Sequence, residues 1–349
     1  LGGGGTISIT GLNDVVINGL VGTGSTNLAA LNIEATNGEL LVTRESGRVE
    51  SDAPIALSGV QVNVSGVLFG TGITPTIGDY ELKIDASDLV TISGDVQTVG
   101  STLIDAGRVE IYDTTLIISG TGHRLVIDAN GDVTVGRLDE SGTIPVQRGA
   151  LLQVTGGIDI DATGVVDIGA GSALLTGEDN TSITISGREV ELVGALYGGA
   201  TLNASNDIVW SGRAVNVSIA AVDRIELGGS GVDLAGAPIA VGGSILATGP
   251  VDLNASAGAV RVSAQSMISA DAAAGGDLLG PQGTTSIAIS AGDSILIHGL
   301  IEAVDDGADI SLTASALVRV NGLVYADDTV TLSGGDSSSD ASIYVTEFT

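Results

Sequence analysis

The sequence predicts an all-β chain folded as one β-solenoid, and three observations carry that reading. First, residues 286–326 hold two matching halves. Ile287-x-Ile289-Ser290-Ala291 matches Ile310-x-Leu312-Thr313-Ala314, and Ile295-x-Ile297-His298-Gly299-x-Ile301-x-Ala303 matches Val318-x-Val320-Asn321-Gly322-x-Val324-x-Ala326. A self-similar period of roughly 20–50 residues is the signature of a repeat architecture. Second, one piece of this unit, aliphatic-x-aliphatic-polar-Ala or Gly, recurs along the chain, at Leu31–Ala35, Val62–Gly66, Leu82–Ala86, Leu125–Ala129, Ile158–Ala162, Ile183–Gly187, Val251–Ala255 and Val330–Gly334 among others. Third, aromatic residues are only 2% of the 349, against 53 glycines. Thick globular cores use aromatics as filler, whereas a thin coil core is filled by Val, Ile, Leu and Ala. No stretch sustains the i, i+3, i+4 spacing of an amphipathic helix.

Each part of the unit has its physical reason. In the short runs every second residue points to one face, so Ile287, Ile289, Ile295 and Ile297 turn inward while His298 and Arg319 turn out. Inward β-branched residues stack well on a pleated surface. Ala and Gly stand at the corners, where room is short and Gly accepts a positive φ. Counting the units gives roughly 14 coils of about 20–27 residues. At about 4.8 Å per coil they form a rod on the order of 70 Å long. We read residues 1–349 as a single domain with longer loops near 66–80, 136–150, 228–250 and 270–286. Such loops are sites where function concentrates on a repetitive scaffold.

The formal net charge is −30, and Lys83 is the single lysine. That balance argues against nucleic acid and anionic membranes as partners and favours cations or basic surfaces. Without cysteine there is no disulfide or thiol chemistry. No apolar run is long enough to span a bilayer. The chain opens on glycines without an initiator Met and closes in mid-pattern at Ile343-Tyr344-Val345, so the expectation is a piece of a longer protein. Open coil ends template pairing with other chains, which makes end-to-end association of copies an expectation too.

The residues suited to catalysis are sparse. His123 and His298 are the only histidines, in no metal-ligand spacing, and they support no Ser-His-Asp set. Asp159 with Asp161, Asp305 with Asp306 and Asp327 with Asp328 are carboxylate pairs of the kind that flank a glycosidic bond. The last two fall at turns, where Asp is favoured for local reasons. The reading is therefore not an enzyme, with no catalytic and no cofactor-binding residue. One acidic feature is more specific. Asp85, Asp105 and Asp128 each hold the polar slot before a corner Ala, and stacking coils would align them in a surface column. Calcium, an oxygen-seeking cation, is the one cofactor such a column points to, although a rod requires none.

The segments IAISAGDSILIHGLIEA, ISLTASALVRVNGLVYA, VDLNASAGAVRVSAQSMISA and LKIDASDLVTISGDV resemble the filamentous-haemagglutinin-like repeats of large bacterial exoproteins and adhesins secreted by the two-partner route. The resemblance covers most of the chain. It implies a right-handed single-stranded parallel β-helix, export across the outer membrane, an extracellular or cell-surface location, and a structural role as an adhesin shaft or surface filament. Its partners would be a host or neighbouring-cell surface or a matrix polymer. A self-assembling head-to-tail fibre or matrix subunit is the alternative, and a polysaccharide-active enzyme a further one.

Overall fold

The computed structural model describes residues 5–23, 28–72, 80–139, 146–177, 181–202, 208–210, 215–232, 237–271, 285–335 and 342–345. Parts of all four expected loops, residues 73–79, 140–145, 233–236 and 272–284, lie outside the described residues.

The chain is all-β. Its aliphatic alternation builds a 20-stranded sheet and a 12-stranded sheet, both from parallel pairs, together with three two-stranded antiparallel ribbons. The repeat at 286–326 is visible in the ladder: Ile287 lies opposite Ile310, Ile295 opposite Val318, and Ile301 opposite Val324. Inward residues of both sheets share one apolar cluster running from Val15 to Val320. Ile287, Ile289, Ile295, Ile297, Ile310, Leu312, Val318 and Val320 are buried in it, whereas His298 and Arg319 are exposed. The corner alanines Ala35, Ala86, Ala106, Ala129, Ala255 and Ala314 are buried too, which explains why nothing larger occupies that slot.

The expected single right-handed β-helix of roughly 14 coils is corrected by the pairing. Some strands do not stop at the corner. Leu28–Val42, Ile55–Val64, Tyr80–Ile92, Ser101–Ile111, Ser182–Leu192 and Asn216–Leu227 run through it and pair along both halves, so that two faces merge into the 20-stranded sheet. Small corner residues permit this: the ladder shifts register by a bulge between Ala106 and Arg108, and again between Gly187 and Glu189, and then resumes. Between Ser101–Ile111 and Ser182–Leu192 the corners break instead. There Leu125–Ala129 and Ile158–Ala162 connect the two long strands on one side, and Val133–Val135 and Val165–Ile168 on the other. Six strands thus close a parallel barrel within the sheet. Twelve strands in the second sheet, at about 4.8 Å each, extend the stack over roughly 55 Å.

The ribbons are where the chain leaves the stack. They pair Arg137–Asp139 with Val146–Arg148, Ala200–Leu202 with Ile208–Trp210, and Gly229–Val232 with Pro238–Val241. The first and third occupy stretches expected to be loops.

Candidate functional site

The first and third ribbons leave the long sheet by the same local device. Gly136 (φ 78°) and Gly228 (φ 96°) stand at the exits in the left-handed region that glycine adopts without penalty. A Cβ on either would lie 2.0 Å from a serine hydroxyl, that of Ser172 or Ser263. Each root is then pinned by a buried serine from a later turn. Ser172 Oγ donates to the Val135 carbonyl at 3.0 Å and accepts from the Ala150 amide at 3.2 Å. Ser266 Oγ donates to the Leu227 carbonyl at 2.8 Å and accepts from the Gly243 amide at 3.1 Å. The first root is clamped from the side as well. Arg148 pairs with Asp113, and Arg137 reaches Glu110 at 3.7 Å while its guanidinium lies 3.8 Å over the Tyr112 ring.

Two turns of chain separate these exits, and both end without a ribbon, at Gly169-Ala170 and Val193-Gly194. The strands Val146–Arg148 and Gly229–Val232 approach one another across the gap. A cleft of about 340 Å³ results, lined by Arg137 and Gln147 from the first ribbon, Gly228 and Gly229 from the third, and Ala170 and Val193 from the turns. Its acidic side is a register row: Asp167 lies opposite Glu191, and Glu191 opposite Glu226.

The charges here are unevenly satisfied. Arg224 serves three carboxylates, Glu189 at 3.0 Å, Glu226 at 3.2 Å and Glu191. Arg188 adds Glu189 at 2.8 Å and Asp223 at 3.5 Å. Asp167 makes no ion pair among the described residues. Burial, and then the neighbouring Glu191 carboxylate, push its pKa up to about 6.

The residues singled out from the sequence lie elsewhere. Asp85, Asp105 and Asp128 do fall in register, Asp85 opposite Asp105 and Asp105 opposite Asp128, and Asp161 continues the row. They point outward, Asp105 half-buried and the other two exposed, and Lys83 Nζ donates to Asp85 at 3.2 Å. Among the described residues no group of three or more His, Asp or Glu gathers to hold a metal ion. Asp159 has its pKa raised, chiefly by burial and further by Asp161 and Asp128, against the opposing pull of Arg124. His123 is buried, with Nδ1 3.2 Å from Ser101 Oγ, and His298 is exposed 3.5 Å from Asn321. The two are unrelated in space as in sequence.

The cleft acids were legible only as a triplet repeated in the outward slot: Val166-Asp167-Ile168, Val190-Glu191-Leu192 and Ile225-Glu226-Leu227. No family model, no curated protein and no solved structure matches the sequence.

Proposed function

We propose that this chain is part of an extracellular structural shaft, of the kind that carries a bacterial surface adhesin or surface filament, and that it works mechanically rather than as a catalyst. What carries the reading is the single apolar cluster that runs through the stacked strands from Val15 to Val320. Such a stack loads its backbone ladders and its core in every layer, so its stability is spread along its length and each layer supports the next. The outward faces are polar and strongly acidic, which suits a solvated surface that repels its own kind. In this reading calcium is a loosely held counterion along the row of Asp85, Asp105 and Asp128, and the partners are a neighbouring cell surface or a matrix polymer. The repeat resemblance supplies the adhesin context.

Beads coated with the chain provide the test. Coated beads are expected to adhere to epithelial cells or to immobilised matrix polymers, and protease treatment of intact producing cells is expected to remove the protein. Protection of the protein inside intact cells would overturn the surface reading.

A further inference from the structure

The cleft between the first and third ribbons has the chemistry of a receptor for one kind of group. We propose that it takes the side chain of a lysine or arginine presented by a partner protein.

The shape comes first. Both ribbons are held at their roots by buried serines, Ser172 and Ser266, and the cleft lies between those roots. Its walls are of two kinds. Asp167, Glu191 and Glu226 offer carboxylates in a row, while Ala170 and Val193 offer apolar surface beside them. A basic side chain has the same two parts, an aliphatic stem and a cationic head. A bare metal ion would use only oxygen ligands, and the acids here do not converge as a metal group does. An anionic ligand would face the acidic row.

The charge balance points the same way. Arg224 is shared among Glu189, Glu191 and Glu226. Arg137, the cation on the cleft wall, is directed to Glu110 and Tyr112. Asp167 is left without an ion pair among the described residues, in a site where burial makes an uncompensated carboxylate costly. A lysine or arginine head would supply a charge-assisted partner. The net charge of −30 draws basic segments toward the chain. The inference stands apart from the shaft reading, and its test does not depend on it.

The test titrates the full 349-residue chain with the capped tripeptide Gly-Lys-Gly and, as a control, its norleucine analogue. Binding is read by calorimetry and by amide NMR shifts at Gly169 and Val193. Saturable binding of the lysine peptide alone is expected, weakened at least about tenfold by Asp167→Asn and also weakened by Glu191→Gln. Glu34→Gln, on a distant part of the sheet, is expected to leave it unchanged. Circular dichroism checks that each variant is folded. Equal binding of the norleucine peptide would overturn the proposal. So would unchanged affinity in both cleft variants, or displacement of the peptide by calcium chloride but not by sodium chloride of equal ionic strength.

Discussion

Ser172 Oγ donates to the carbonyl of Val135, 37 residues earlier in the chain, at 3.0 Å. The bond joins the exit of the first ribbon to a turn of the next layer. The same hydroxyl accepts from the Ala150 amide, where the ribbon returns. Ser266 repeats the arrangement for the third ribbon. At the second ribbon, Gly199 (φ 80°) is the exit and buried Thr248 accepts from the Val215 amide at 3.3 Å. Each of the three ribbons therefore comes with a glycine to turn the chain and a buried hydroxyl that meets a freed backbone amide.

Ser172→Ala should accordingly leave the Ala150 amide without its acceptor and the Val135 carbonyl with the Gly169 amide alone. The expected cost is about 1–3 kcal/mol, seen as a lower denaturation midpoint. Hydrogen exchange at Ala150 should quicken, while exchange at Ile310, far along the stack, stays as in the wild type. Unchanged protection of Ala150 would show that the serine does not hold the root.

The core tolerates size changes far better than charge. Ile297 is fully buried, with Val262 and Val320 beside it in the ladder. Ile297→Val is expected to cost about 1 kcal/mol. Ile297→Asp would strand a carboxylate in an apolar layer and is expected to cost more than about 4 kcal/mol, melting the neighbouring layers. Urea denaturation of the two variants checks the difference.

Asp167 makes stability depend on pH with a definite sign. Its folded pKa of about 6 lies above the ordinary 3.8, so the folded state binds the proton first. Stability should rise as pH falls from above 6 toward 4, and the charged form is a liability at neutral pH. Asp167→Asn is expected to gain on the order of 1–2 kcal/mol at pH 7 and to flatten this part of the pH profile. Thermal midpoints measured between pH 4 and 8 test both statements.

The outward row Asp85, Asp105 and Asp128 places like charges on adjacent strands. Neighbours about 4.8 Å apart repel by roughly 1 kcal/mol in water and less in salt. Raising sodium chloride is expected to raise the thermal midpoint of the wild type, and less so that of Asp105→Asn. Equal salt responses would mean that the row carries no net strain.

The sequence by itself determined the all-β class, the inward and outward parity of the aliphatic runs, the buried corner alanines and the alignment of Asp85 with Asp105 and Asp128. All of these follow from a side-chain period of two and from a repeat that recurs in register. Tertiary structure alone decided whether a corner is passed or broken. Ala106 and Ala129 occupy the same slot, yet the strand continues past the first and stops after the second. It also decided the cleft. Arg137, Gln147, Asp167, Glu191 and Glu226 meet because two ribbons leave the sheet on either side of two plain turns. Turn lengths vary between layers, so which distant residues become neighbours depends on how the layers stack, and local pattern holds no record of it.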